Sequence, residues 1–98
     1  MVLEVAEFDV RPGAEAAFAA GYRSVVGVLT DSPGLLSVRM TQGIETPTRF
    51  VLLAEWESVE HHQAFRDSDR FAVWRGGIGQ YFAGPPQVEH VADVPVIP

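Results

Sequence analysis

A chain of 98 residues, 47% of them hydrophobic, is sufficient for one domain with a thin core, so we expect a single domain over residues 1–98 with an irregular tail at 94–98. The absence of cysteine excludes disulfides and thiolate chemistry, and the net charge of −6 argues against nucleic acid or an anionic membrane as a partner. No apolar run approaches the roughly 18 residues of a membrane helix, and the N-terminus lacks the pattern of a signal peptide. We therefore expect a soluble, cytoplasmic protein.

The first half of the chain contains an alternating apolar pattern typical of a strand, followed by apolar residues at the spacing of a helix. Residues 2–10 predict a strand, with Leu3 and Val5 on one face and the other face formed by Val2, Ala6, Phe8 and Val10. A helix over about 14–31 is predicted from the apolar stripe Ala14, Phe18, Tyr22, Val25 and Leu29. The turn Ser32-Pro33-Gly34 ends it.

The second half of the chain predicts two strands, then two helical pieces and a final strand. Residues 35–42 predict a strand with Leu36, Val38 and Met40 on one face, and residues 49–56 predict the next. Ser58 is a helix N-cap, and a second helical piece begins at Asp67 or Ser68. Glycines at 76, 77 and 79 weaken that piece, so we expect its end to fray into a loop. A fourth strand is predicted over residues 87–94.

This order of elements predicts an α+β, ferredoxin-like βαββαβ fold: a four-stranded antiparallel sheet with helices on one face. The first and third strands are apolar on both faces, which leaves a bare apolar patch of about 400 Å² on the other side of the sheet. We therefore expect a homodimer that stacks two sheets about a two-fold axis.

Several short segments resemble one family. They are residues 10–13 (VRPG) with Phe18, residues 32–35 (SPGL), residues 50–58 (FVLLAEWES), and Phe65, Ser68, Asp69, Phe71 and Trp74. In this order and spacing the chain resembles the antibiotic biosynthesis monooxygenase family of the dimeric α+β barrel superfamily. The resemblance implies a homodimer with one pocket per subunit, between the helices and the sheet. Some members oxygenate aromatic polyketides or quinols with O2 and no metal or flavin, and another branch degrades haem.

The haem branch can be compared residue by residue. It is known for an Asn on the first strand, a Trp in the second helical region and a His iron ligand, and these positions correspond here to Phe8, Phe65 and Arg75. None matches, and an arginine stays protonated and cannot bind iron. The resemblance therefore argues against haem degradation.

The candidate site residues come mainly from residues 55–82. We predict Phe8, Phe65, Phe71 and Trp74 as walls of a substrate pocket, with Tyr22 as a further substrate-binding residue. His62 is the candidate base, because it lies three residues before Phe65, and Arg75 is the candidate partner of an anionic intermediate. The alternatives are that Trp74 and Tyr22 belong to the core, that Arg75 reaches solvent, and that His61 and His62 are solvated.

Two further groups of residues have a functional and a structural interpretation. His90 lies mid-strand and faces either the pocket or the dimer interface. A metal site from His61 or His62, His90 and an acid lacks any supporting HxxxH or HxH spacing, so we predict no metal. Arg66 and Arg70 lie four apart on one helix face, where they either attract an anion or pair with neighbouring acids.

The leading hypothesis is a cofactor-independent monooxygenase acting on a small hydrophobic or aromatic substrate, such as a quinol or a polyketide. In it a phenolate or enolate passes an electron to O2. The alternative is a non-catalytic binding or interaction dimer, whose pocket either holds a small hydrophobic ligand or is simply part of the core. A third hypothesis is an isomerase or decarboxylating lyase, which needs a base and no oxygen.

Overall fold

The computed structural model describes residues 1–97 and has the predicted fold. The elements in chain order are β1 (Val2–Asp9), α1 (Glu15–Thr30), β2 (Leu35–Gln42), β3 (Arg49–Trp56), α2 (Val59–Arg66), α3 (Asp69–Ile78), a 3-10 turn (Gly79–Tyr81) and β4 (Gln87–Val91). The strands form one antiparallel sheet in the order β2-β3-β1-β4. No helix within residues 1–97 is long and apolar enough to cross a membrane.

The core lies between the sheet and the helices, and the two central strands supply most of it. In the pairing of β1 with β3, Phe8 lies opposite Phe50 and Ala6 opposite Leu52, and all four side chains are buried. Helix α1 adds Phe18 from its apolar stripe, and the Phe18 ring centroid is 4.5 Å from that of Phe50. The alternation of β1 and β3 therefore determines which side chains face the helices.

Helices α1 and α3 approach each other closely at glycines. A Cβ atom built on Gly21 would overlap the carbonyl oxygen of Gly77, and one built on Gly77 would overlap the side chain of Val25. The expectation that α3 frays at its glycines is wrong, since the helix continues to Ile78 and then tightens into the 3-10 turn. The close contact between backbones offsets the intrinsic cost of glycine in a helix.

The structure also corrects two details of the predicted strands. The prediction that Leu36 shares a face with Val38 is wrong, because an irregularity between Leu35 and Ser37 leaves Leu36 47% exposed while Leu35 packs against the core. Strand β4 ends at Val91 and not at residue 94. Residues 92–97 form no helix or strand, and the last residue of the predicted tail, 98, lies outside the described residues.

The sheet face opposite the helices is apolar along its centre. Leu3 and Val5 of β1 lie across from Glu55 and Leu53 of β3, and Val51 continues the strip. The four apolar side chains are half-buried within one chain. The predicted apolar surface on the bare side of the sheet is thus present.

Candidate functional site

A cavity of about 300 Å³ opens between the sheet and the helices. It is lined by Glu4, Ala6, Phe8, Leu29, Leu52, His62, Phe65, Arg66, Phe71, Trp74, Arg75, Pro86 and Val88. Most of these side chains are apolar, and only four are ionisable. An apolar, aromatic cavity with few polar groups is the usual form of a small-molecule site.

The most unusual group in the cavity is the carboxylate of Glu4. Glu4 lies on the inner face of β1 and is only 5% exposed. Its Oε1 atom accepts a hydrogen bond of 3.0 Å from the indole N–H of Trp56. Burial raises the pKa of the Glu4 carboxyl above 4.5, although the Trp56 hydrogen bond and the charge of Arg66 act in the opposite direction.

The second carboxylate oxygen of Glu4, Oε2, has no hydrogen-bond partner among the described side chains. None of the side-chain hydrogen bonds within residues 1–97 uses Oε2. No fully buried side-chain polar atom of these residues lacks a partner, so Oε2 is not fully buried, and the cavity is the space that Glu4 lines. A ligand that enters would therefore find an unoccupied carboxylate oxygen.

His62 connects Glu4 to a second histidine. Its Nε2 atom lies 3.3 Å from Oε1 of Glu4, and its Nδ1 atom lies 2.8 Å from Nε2 of His90. The ring also stacks on Trp56, with centroids 5.1 Å apart and planes 22° apart. These contacts hold His62 in one orientation, with both ring nitrogens facing a polar partner.

The environment keeps His62 neutral. Burial, with smaller effects from the charges of His90 and Arg66, lowers the pKa of His62 from 6.5 to about 4. At neutral pH a proton on Nε2 of His62 would point to the Glu4 carboxylate, and Nδ1 would then accept a hydrogen bond from His90. His90 faces the cavity side of the sheet because its position on β4 lies opposite Glu4 on β1.

The histidines do not form a metal centre. Glu4, His62 and His90 face one another in a row instead of facing a common point, and residues 1–97 contain no group of three or more side chains suited to hold a metal ion. His61 points away from this row. Its Nδ1 atom lies 2.7 Å from the hydroxyl of Ser58, and its ring is 40% exposed.

Two arginines supply the positive charge of the cavity. Arg66 comes from the end of α2 and Arg75 from α3, and both residues are exposed overall although they line the cavity. The Arg75 guanidinium lies 5.8 Å above the centre of the Phe71 ring, within the range of a cation–π contact. The ion pairs within residues 1–97 include neither arginine.

The cavity brings together six of the seven side chains for which the sequence predicts a role. They are Phe8, His62, Phe65, Phe71, Trp74 and Arg75. Tyr22 does not line it, and its ring instead packs edge-on against Trp74 with centroids 6.0 Å apart. Trp74 is 5% exposed, so it is both a core residue and a wall of the cavity.

Sequence reasoning missed Glu4. The sequence does contain a signal for Glu4. Position 4 falls on the inner face of β1 between Val2 and Ala6, where a charged residue is rare unless it has a partner. The partner, Trp56, lies 52 residues away, and the position of its indole N–H depends on the register of β1 with β3. Periodicity thus identifies the anomalous residue, whereas its environment requires the folded sheet.

Comparison with known proteins agrees with this architecture. The family model for antibiotic biosynthesis monooxygenases matches residues 1–76. A crystal structure of a Bordetella bronchiseptica protein assigned to the same monooxygenases is 38% identical, with a TM-score of 0.91 over 95% of this chain and 96% of that one. The chain therefore belongs to the antibiotic biosynthesis monooxygenase family, and monooxygenase activity is supported at the level of the family.

More distant relatives extend the comparison. The uncharacterized protein YczJ of Bacillus subtilis is 28% identical over 95 residues, which cover 96% of this chain and all of that protein. SnoaB, a cofactor-independent oxygenase from Streptomyces nogalater, has a TM-score of 0.83 at 15% identity and covers 99% of this chain and 96% of its own. At that identity the likeness to SnoaB establishes the fold alone.

Proposed function

We propose that this protein is a cofactor-independent monooxygenase that oxidises a small aromatic phenol, anthrone or quinol inside the cavity. The observation that carries the proposal is the buried carboxylate of Glu4, which faces an aromatic cavity and is supported by Trp56 and His62. Family membership supports the same chemistry, and SnoaB shows that this fold can carry a cofactor-independent oxygenase.

The reaction starts with a proton transfer from the substrate. Glu4 takes a proton from an acidic C–H or O–H group, which leaves an electron-rich carbanion or phenolate. A base is more effective when its pKa lies near the working pH, and burial moves the pKa of Glu4 towards neutrality. The same burial moves the pKa of His62 away from neutrality, so in this proposal the base is Glu4 and His62 orients it.

The substrate then supplies all the electrons that O2 needs. The substrate anion passes one electron to O2, which becomes superoxide. The substrate radical and superoxide then form a C–O bond. The resulting peroxide anion takes the proton back from Glu4. For a substrate with a methylene group, loss of the second C–H proton breaks the O–O bond and releases water. In sum, one methylene group and one O2 molecule become one carbonyl group and one water molecule, and a phenol or quinol supplies that methylene group in its keto tautomer. The aromatic walls exclude water, and the arginines stabilise the anion.

Oxygen uptake by the purified protein tests this proposal. Anthrone and 1,4-dihydroxynaphthalene are suitable substrates, with the uncatalysed oxidation subtracted. We expect Glu4→Gln to lower kcat by about 100-fold or more, because the general base is lost while an acceptor for Trp56 remains. Glu45→Gln, in the exposed loop after β2, is the matched control and should leave the rate unchanged.

Three other outcomes separate the alternatives. Turnover under nitrogen would assign the site to an isomerase or a lyase. Binding without turnover in either atmosphere would assign it to a binding dimer. Oxygen uptake that survives in Glu4→Gln would remove Glu4 as the base and return that role to His62.

We also propose that the protein is a homodimer joined through the bare sheet face. The support is the apolar strip along Leu3, Val5, Val51 and Leu53, which a monomer would leave in contact with water. Leu53→Lys should convert the dimer into a monomer in sedimentation experiments, because it places a charge at the centre of the strip. Leu36→Lys is the control, since Leu36 is already exposed outside the strip. A wild-type protein that stays monomeric at micromolar concentration would contradict the assembly.

A further inference from the structure

The ionisable groups of the cavity carry an excess of positive charge in a protein that is strongly negative overall. Arg66 and Arg75 each contribute one positive charge, and Glu4 contributes at most one negative charge. His62 is neutral above pH 6, because burial lowers its pKa to about 4. The chain as a whole has a net charge of −6, so the cavity is a local exception to the surrounding charge.

Neither arginine is neutralised by another side chain of residues 1–97. Arg66 is near enough to Glu4 for its charge to lower the pKa of that carboxyl, yet the two groups form no ion pair within 4 Å. Arg75 rests above the Phe71 ring, a contact that restrains the guanidinium without satisfying its N–H donors. The hydrogen bonds of residues 1–97 use no guanidinium N–H of Arg66 or Arg75. Two fixed-charge donors in this part of the chain therefore remain free at the edge of an apolar cavity.

The shape of the cavity limits the size of its ligand. About 300 Å³ lies at the lower end of the range for small-molecule sites. Phe8, Phe65, Phe71 and Trp74 line it with aromatic faces and edges, which favour a flat ligand. The buried pair Glu4 and His62 lies deep in the cavity, whereas the exposed residues Arg66 and Arg75 lie towards its opening.

We infer that the ligand is a planar aromatic carboxylate of one or two rings, whose carboxylate binds Arg66 and Arg75 while its ring enters the cavity towards Glu4. An arginine binds a carboxylate through two parallel hydrogen bonds, which fixes orientation as well as position. The inference rests on the proposed function for its choice of cavity, and it adds the anionic group that the proposed function does not require.

Binding of 2-naphthoate and its neutral isostere 2-naphthamide, measured by quenching of tryptophan fluorescence, tests this inference. Neither compound is a quinol, so the measurement is independent of oxygen chemistry. We expect the carboxylate to bind at least 10-fold more tightly than the amide at low ionic strength, because charge-assisted hydrogen bonds are about twice as strong as neutral ones. Raising NaCl from 20 mM to 500 mM should weaken binding of the carboxylate and leave that of the amide unchanged.

Arginine variants identify the groups that bind. Arg75→Gln and Arg66→Gln should each weaken binding of the naphthoate by about 10-fold and leave binding of the naphthamide unchanged. Arg70→Gln is the matched control, because Arg70 lies on the same helix as Arg75 but does not line this cavity. Circular dichroism before the titration confirms that each variant is folded.

Several results would overturn the inference. Equal affinity for the two isosteres would show that the cavity does not select an anion, and unchanged affinity in both arginine variants would show that the arginines are not the contact. Failure to bind both 2-naphthoate and the smaller benzoate would exclude the ligand class. Absence of oxygen uptake would refute the proposed function and leave the preference for a carboxylate intact, so the two failures are distinguishable.

Discussion

The pH dependence of folding stability tests whether the His62 imidazole is buried in its neutral form. Its pKa is about 4 in the folded protein and 6.5 in the unfolded chain. Because the unfolded chain binds this proton more tightly, His62 destabilises the fold as the pH falls from 6.5 to about 4, and it has no such effect above 6.5. At about 1.4 kcal/mol per pH unit the full loss is roughly 3 kcal/mol, of which about 2 kcal/mol is present at pH 5.

The variant His62→Gln removes this proton-linked loss. It also loses the stacking on Trp56, so it is less stable than the wild type at pH 7.5. We expect the difference in the free energy of unfolding between wild type and variant to shrink by about 2 kcal/mol between pH 7.5 and pH 5. Urea unfolding followed by tryptophan fluorescence, at one fixed protein concentration, measures both values at each pH.

Two controls isolate the imidazole of His62. His61→Gln changes a histidine on the same helix that is 40% exposed, and the variant should keep the pH dependence of the wild type. Repeating the comparison in a Glu4→Gln background removes the charge next to His62. A difference between wild type and His62→Gln that stays constant from pH 7.5 to pH 5 would refute the buried, neutral imidazole.

Three further changes test the fold and the environment of the carboxylate. Glu4→Gln should raise the urea midpoint at pH 7.5, because the raised pKa makes the ionised carboxylate destabilising there, and the gain should vanish as the pH falls to 4.5. Gly77→Ala should destabilise the protein by about 1–3 kcal/mol through overlap with α1, whereas Gly76→Ala, which meets no neighbour, should be neutral or stabilising by up to about 1 kcal/mol; thermal unfolding compares the two. Ser58→Ala should cost about 1 kcal/mol in the same assay, because the serine hydroxyl accepts the first N–H bond of α2, and an unchanged midpoint would contradict that cap.

Local sequence patterns predicted most of the fold. The alternation of residues 49–56 and the apolar stripe of α1 gave β3 its observed bounds and placed α1 within one residue at each end. The errors fall where tertiary contacts override local preference. The glycines of α3 permit close packing with α1, and the irregularity in β2 turns Leu36 outwards.

The candidate site was predictable only in part. Its aromatic walls follow from helical spacing, which places Phe65, Phe71 and Trp74 on the inner side of α2 and α3. Its polar groups depend on contacts distant in sequence, because His62 and His90 are 28 residues apart and meet only when β4 pairs with β1. A single sequence shows that position 4 is charged, and only the folded sheet shows what that charge contacts.

The buried carboxylate of Glu4 also affects the register in which β1 pairs with β3. Strand β1 is apolar on both faces only in its first half, where Leu3 and Val5 face away from Val2 and Ala6, so this half opposes a shift of one residue along β3 only weakly. In the second half the shift would bring Glu7 and Asp9 to the helix side in place of Phe8. That shift would carry the Glu4 side chain to the opposite face and leave the indole N–H of Trp56 without an acceptor, at a cost of about 1–3 kcal/mol. The residue to which we assign the chemistry thus disfavours misalignment in the half of β1 whose apolar residues alone would tolerate it.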